Sequence, residues 1–151
     1  MLILVLAFVA LADDSGTVAP QPLPERGTGQ CAQISLKPVF SASAQSTPVL
    51  SLARRDEFSA NRTLDLRFRT ALSPAAADHS VRFRLYTPSG HLYQELGGQP
   101  ATDSKLDVEA RLPVAGTDVV NHSLYGTWTV SAHVDGATRP CSRVRAFSLK
   151  P

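Results

Sequence analysis

The chain contains few of the residues that usually carry catalysis or metal binding. Its 151 residues include two cysteines, one methionine, one tryptophan and four histidines. No histidine lies in an H-E-x-x-H or comparable metal-ligand spacing, and neither a G-x-S-x-G element nor a glycine-rich phosphate loop is present. We therefore expect a protein that is not an enzyme and that uses no metal or cofactor.

A strong charge of one sign and a long hydrophobic run are also missing. The chain has 15 basic and 13 acidic residues, a net charge of +2, which gives no support for nucleic-acid binding. Its longest apolar run, residues 2–12, is shorter than the about 20 residues that a membrane-spanning helix requires. We therefore expect no transmembrane segment.

The N-terminal run instead has the character of a secretory leader. Ala10-Leu11-Ala12 has the small-x-small form of a cleavage site, although no Lys or Arg precedes the run. We interpret residues 1–12 as a signal peptide, with a buried N-terminal strand as the alternative. Residues 13–30 contain three prolines and three glycines and are interpreted as a flexible linker. The chain is therefore expected to be secreted or periplasmic.

The expected export determines the expected oxidation state of the two cysteines. In an oxidising compartment the default for a single pair is one disulfide, here between Cys31 and Cys141. The alternative, two free buried thiols, needs a reducing compartment, which the leader argues against. A disulfide is therefore expected.

Residues 31–151 show the period-two alternation of half-buried β-strands. It is clearest in four runs: TLDLRFRT, VRFRLYTP, KLDVEARL and TWTVSAHV. The apolar sets of these runs are Leu64, Leu66, Phe68; Val81, Phe83, Leu85; Leu106, Val108, Ala110, Leu112; and Trp128, Val130, Ala132, Val134. Weaker strands are expected at residues 33–40, 48–53, 91–96 and 143–149, and Asp135-Gly136 indicates a tight hairpin joining the last two strands. The pattern predicts an all-β fold, an antiparallel sandwich of seven to eight strands.

One segment resembles a known family. Gly126-Thr127-Trp128-Thr129-Val130 is similar to the G-x-Y-x-C segment that opens strand F of immunoglobulin-like domains, with Trp128 in the place of the corner aromatic and Val130 in that of the second cysteine. The chain departs from that pattern at strand C, where Phe83 stands in place of the tryptophan. The closer resemblance is to the Ig-like or fibronectin-like modules of bacterial secreted proteins. It implies that the first strand, or part of it, runs parallel beside the last strand, which brings the two cysteines to one end of the sandwich.

The resemblance also implies a candidate site. It places residues 62–70 and 104–112 in one sheet, whose outer face mixes both charges, and residues 81–88, 125–134 and 142–149 in the other. The outer face of the second sheet would then carry basic residues and no acid. The candidate partner-binding residues there are Arg82, Arg84, Tyr86, His133, Arg143 and Arg145. Because Phe147 and Leu149 share parity with Arg143 and Arg145, a bulge is expected in the last strand.

The expected function is that of a non-catalytic secreted binding or interaction module. An arginine-rich face suits an anionic glycan, a lipid head group or an acidic protein, whereas a face that only prevents aggregation is the alternative reading of the same residues. A different function is that of a structural accessory domain of a cell-envelope or surface assembly, acting through edge strands.

Both asparagines, Asn61 and Asn121, lie in N-x-[ST] sequons, and whether they are glycosylated is left open.

Overall fold

Two packed β-sheets form the part of the protein that the structure describes. The computed structural model describes residues 28, 30–40, 56–73 and 79–151. The expected signal peptide, almost all of the expected linker and the expected strand at residues 48–53 lie outside the described residues.

The first sheet has four strands in the order β1-β3-β7-β6, and the second has five in the order β2-β9-β8-β4-β5. The strands are β1 Ser35–Phe40, β2 Glu57–Ser59, β3 Thr63–Ala71, β4 Val81–Tyr86, β5 Leu92–Gly97, β6 Gln99–Pro100, β7 Asp107–Pro113, β8 Gly126–Val134 and β9 Arg145–Lys150. A one-turn helix, α1 Asp118–Asn121, joins β7 to β8.

The expected all-β sandwich is confirmed, with nine strands in the described residues rather than seven or eight. The four-stranded sheet has the A-B-E-D order of immunoglobulin-like sandwiches, and β9-β8-β4 has their G-F-C order. The expected division of the main strands between the two sheets is also confirmed. One detail was wrong: the strand that runs parallel to β9 is the short β2, whereas β1 pairs with β3 in the other sheet.

Alternating apolar residues fill the space between the sheets. Phe68 of β3 lies 5.7 Å from Phe147 of β9 and 6.3 Å from Phe83 of β4, measured between ring centroids, and all three are buried. Two residues expected to point inward do not: Leu64 is 44% exposed and Leu106 is 50% exposed. Leu64 lies where the β1–β3 register shifts, opposite the Val39–Phe40 step, and Leu106 precedes the first residue of β7.

The expected disulfide between Cys31 and Cys141 is confirmed. Their Cα atoms are 5.2 Å apart across a sequence separation of 110, and the backbone N–H of Cys31 donates to the carbonyl of Cys141 at 3.2 Å. Closing a loop of this length stabilises a fold by about 4 to 5 kcal/mol in the chain-entropy picture. The bridge lies at the end of the sandwich where Cys31 meets Leu72, just after β3.

The turn after β8 differs from the expected hairpin. Asp135 and Gly136 both have positive φ, 49° and 74°, as a type I′ turn requires. This turn does not join β8 directly to β9, since residues 137–144 follow it. The N–H of Cys141 in that segment donates to the carbonyl of Ala132 at 2.7 Å, so the segment returns along β8 before β9 begins.

Candidate binding surfaces

The structure brings four of the six candidate residues to one face of the five-stranded sheet. In the β4–β8 register Arg82 lies opposite His133, and Tyr86 lies opposite Thr129. Arg84 falls between them on the same face because the intervening Phe83 and Leu85 are buried. This part of the arrangement matches the expectation.

The expected absence of acid on this face was wrong. Arg84 lies opposite Glu95 of β5. The Glu95 carboxylate accepts hydrogen bonds from Arg82 at 2.6 Å and from Arg84 at 2.7 Å. These bonds, that of Arg82 first, hold the pKa of Glu95 below its ordinary value. The two arginines therefore share one bound carboxylate, which offsets one of their two positive charges and occupies hydrogen-bond donors of both.

His133 is also not available on this surface, contrary to expectation. It is 3% exposed, because the segment after the turn folds back over it. Its Nδ1 lies 2.9 Å from the carbonyl oxygen of Ala137, which can only accept, so Nδ1 carries the proton and Nε2 accepts from Ser131 Oγ at 2.9 Å. Burial is the main cause that lowers the pKa of His133. The ring is therefore a neutral, doubly hydrogen-bonded part of the interior.

The Ser131–His133 pair has the contact that a nucleophile and its base would have. Ser131, however, is 0% exposed, so a substrate has no path to its hydroxyl in this structure. In the described ranges no group of three or more His, Cys, Asp or Glu side chains is placed to hold a metal ion. The pair is best understood as a buried polar contact in which each group satisfies the other.

The two remaining candidate residues lie elsewhere. Arg145 is opposite the buried Val130 and so begins β9 on the inward side, where its Nη2 bonds both carboxylate oxygens of Asp56 at 2.7 Å. The β8–β9 register runs from Arg145 to Leu149 without a shift, so the expected bulge was wrong. Arg143 is exposed in the segment that precedes β9, outside the strand register that aligns the arginines of β4.

A shallow depression lies across β2, β8 and β9 of the five-stranded sheet. Its volume is about 200 Å³, below the roughly 300 Å³ at which small-molecule sites usually begin. It is lined by Asp56, Glu57, Thr127, Ala146, Phe147 and Ser148. Both carboxylates have cationic partners, Arg145 for Asp56 and Lys150 for Glu57, so the depression offers no strong charge to a ligand.

Both sequon asparagines are exposed. Asn61 lies in the turn between β2 and β3, and Asn121 is the last residue of α1. Thr63, which completes the first sequon, is in contrast fully buried. The structure thus places both asparagines at the surface.

The outer face of the four-stranded sheet carries three cations in one line. Lys37 of β1 lies opposite Arg67 of β3, and Arg67 lies opposite Arg111 of β7. Arg67 and Arg111 point outward because the residues on either side of each are buried, and residues paired across strands share a face. We call Lys37, Arg67 and Arg111 the cationic row.

The cationic row has little internal neutralisation. Across the described part of the chain no carboxylate forms an ion pair with Lys37 or Arg67, and Arg111 has only Glu109 at 3.6 Å. The nearby acids Asp103 and Asp107 are both bound to Arg69. The hydrogen bond from Arg69 is the main cause that holds the pKa of Asp103 below its ordinary value, and the charge of Lys37 makes a smaller contribution. The buried Nε of Arg67 has no hydrogen-bond acceptor. Like charges placed directly opposite one another are unfavourable, so this arrangement costs the fold stability.

The cationic row was not found from the sequence, because it combines single residues from three strands that are distant along the chain. The composition of the face, which mixes both signs, was predicted correctly. What was missing was the placement of β1, and hence of Lys37, in this sheet.

Comparison with known proteins adds no further guide to function. No family model matches the chain, and no curated protein is a detectable relative. Among the residues described, no helix is long and apolar enough to cross a membrane.

Proposed function

We propose that this chain is a non-catalytic extracytoplasmic binding module that contacts an anionic partner through the outer face of its four-stranded sheet. The observation that supports the proposal is the cationic row, three aligned cations of which only Arg111 forms an ion pair, with Glu109, among the residues that the structure describes. An anionic group placed above the row would relieve the mutual repulsion of the three side chains. Binding therefore gives a physical reason for an arrangement that weakens the fold when the ligand is absent.

The arginines of the other sheet are the weaker candidates for this role. Arg82 and Arg84 each donate to Glu95 at 2.6 to 2.7 Å, so an incoming anion would have to compete with a carboxylate already in place. Tyr86 beside them is only partly exposed. A partner would thus find a more favourable potential at the cationic row than at the outer face of the five-stranded sheet.

The disulfide supports the proposed location. Bonds of this kind persist in the periplasm and outside the cell and are rare in reducing compartments. Cys141 is 1% exposed and Cys31 is 9% exposed, as suits a structural bridge. The bridge is thus consistent with export, which is part of the proposal.

Salt-gradient elution from a heparin matrix tests the function. We expect the double variant Arg67→Gln/Arg111→Gln to elute at clearly lower salt than the unmodified protein. The matched control is Arg82→Gln/Arg84→Gln, which also removes two positive charges but should shift elution much less. Urea unfolding of each variant checks that the fold is retained.

Two results would contradict the proposal. Equal shifts for the two double variants would mean that retention reflects net charge and not a site. Absence of retention at low salt would remove the support for an anionic partner and leave the structural accessory domain as the better hypothesis.

A further inference from the structure

We infer that the ligand of the cationic row is a linear anionic polysaccharide that lies across the strands, and not a broad anionic surface such as a membrane. This inference rests on the proposed function, because it specifies which kind of anion the cationic row accepts. It follows from where the acids of the same sheet face lie relative to Lys37, Arg67 and Arg111.

The cationic row extends over three neighbouring strands but is only one residue wide in the direction of the strands. Because paired strands lie about 4.8 Å apart, three successive cations span roughly 10 Å perpendicular to the strands. Along a strand, residues on one face repeat only about every 7 Å. The next outward residues along β3 and β7 therefore decide how wide a ligand can be.

Acids lie on both sides of the cationic row. Asp65 is the next outward residue before Arg67 on β3, and it lies opposite Val39 of β1 and Pro113 of β7. On the other side Glu109 precedes Arg111 on β7 and lies opposite Arg69. The cationic row thus has Asp65 on one side and Glu109 on the other.

This border discriminates between ligand shapes. A flat anionic surface that covers the sheet would bring its charges against Asp65 and Glu109 as well as against the cations, so repulsion would offset much of the attraction. A chain one saccharide wide, lying along the cationic row, meets the three cations and stays clear of Asp65, and the only acid that it meets is Glu109, whose charge Arg111 already offsets in part. Guanidinium groups also match carboxylate and sulfate oxygens in two-pronged geometry, and the row contains two of them.

The side chains on this face favour a glycan over single-stranded nucleic acid. Proteins that bind single strands use exposed aromatic side chains on which bases stack. The outward residues of β1, β3 and β7 include no aromatic side chain, apart from Phe40 at the end of β1. Recognition here would rest on charge and hydrogen bonding, which a uronic or sulfated saccharide chain supplies.

Titration calorimetry with three probes tests the inference. The probes are heparin oligosaccharides of defined length, vesicles of phosphatidylglycerol in phosphatidylcholine, and oligothymidylate of matched charge. We expect affinity for the oligosaccharides to rise with length until the chain spans the cationic row, and to fall about tenfold or more in Arg67→Gln, the loss of a charge-assisted contact. Vesicles and oligothymidylate should bind much more weakly.

A second variant tests the role of the flanking acids. Removing Asp65 with Asp65→Asn should raise affinity for the vesicles much more than affinity for the oligosaccharides, because only the broad ligand meets that carboxylate. Asp118→Asn is the matched control: it also removes one negative charge, but from an exposed position in α1, where the side chain is 70% exposed.

The outcomes separate this inference from the proposed function. Vesicles that bind as tightly as the oligosaccharides, with the same dependence on Arg67, would keep the anionic partner and overturn the linear ligand. Equally tight oligothymidylate binding would overturn the choice of a glycan. Binding of no anion, or binding indifferent to Arg67, would overturn the proposed function itself.

Discussion

The indole N–H of Trp128 donates a 2.8 Å hydrogen bond to the backbone carbonyl of Leu124, four residues earlier in the chain. The ring is fully buried, stacks on Phe147 and meets Tyr93 edge to face. The bond therefore connects the loop after α1 to the first residues of the strand β8. The hydrogen bond gives this buried ring a structural role where the chain enters β8.

Replacing this ring tests the value of the bond. Trp128→Phe keeps an aromatic ring in the core, but it removes the donor and leaves a small cavity beside Phe147. We expect the free energy of unfolding to fall by about 2 to 4 kcal/mol, measured by urea unfolding. Thr127→Ala, an exposed change on the same strand, should stay within about 0.5 kcal/mol. A loss below 1 kcal/mol for Trp128→Phe would mean that the corner bond is dispensable.

The pH dependence of stability should report on His133. Its pKa in the folded state is lowered from the ordinary 6.5, mainly by burial, whereas the unfolded chain titrates at the ordinary value. Below about pH 6.5 the unfolded state thus binds more protons, and stability falls as the pH falls. The charged groups that face His133 are Arg82, which lies opposite it on β4, and Arg84 and Glu95, whose charges act on its pKa. Because the pKa of Glu95 is lowered from 4.5, its carboxylate stays ionised through this window.

Chemical unfolding between pH 7.5 and 5 checks this prediction. We expect His133→Asn to be less stable at pH 7.5 and to lose less stability on acidification than the unmodified protein. His91→Gln alters an exposed histidine and should leave the slope unchanged. An unaltered slope in His133→Asn would show that another group governs acid stability in this range.

Local alternation was enough to predict the sandwich, because each strand reports its own buried face. Phe83 and Leu85 on β4, and Val130 and Ala132 on β8, are buried as their period predicts. His133 has the same parity as the outward Thr129, yet it is buried by a segment that returns over the sheet. Such a cover comes from tertiary packing and leaves no trace in the alternation.

The candidate site was harder to predict, because charge on a sheet face depends on pairing between distant strands. Glu95 binds two arginines of β4 only because β5 pairs with β4. The pattern of β5 is irregular, since the register shifts near Tyr86 and Tyr93 packs against the core. Lys37 joins Arg67 and Arg111 only through the placement of β1. Both errors concern the sheet neighbour of a strand, which a period of two does not encode.

If Glu95 neutralises the arginines of β4, its removal should create a second anion-binding surface. Glu95→Gln leaves Arg82 and Arg84 side by side without their shared carboxylate, so we expect elution from a heparin matrix at higher salt. Adding Arg82→Gln should reverse most of this gain, although Arg82→Gln alone should have little effect. The change is read against Asp118→Asn, which removes one negative charge elsewhere. An equal shift in both single variants would mean that Glu95 acts only through net charge.

Two adjacent glycines provide a matched test of the crossing between the sheets. The chain leaves β5 at Gly97 and enters β6 at Gln99, and the N–H of Gly98 donates to the carbonyl of Val81 at 2.8 Å. A Cβ at Gly98 would overlap the side chain of Val108 and lie 3.1 Å from the Val81 carbonyl oxygen, whereas a Cβ at Gly97 meets nothing within 4 Å. Val108 is buried in the core, so a shift of its side chain would disturb its packed neighbours.

We therefore expect Gly98→Ala to lower the free energy of unfolding by about 1 to 3 kcal/mol, the usual cost of overpacking a tight interior. Gly97→Ala adds the same methyl group one residue earlier and should remain within about 0.5 kcal/mol of the unmodified protein. Urea unfolding of both variants and of the unmodified protein under the same conditions measures these losses. Similar losses at both positions would point to strand conformation as the cause, since both variants lose glycine freedom alike and only Gly98 has the close neighbour.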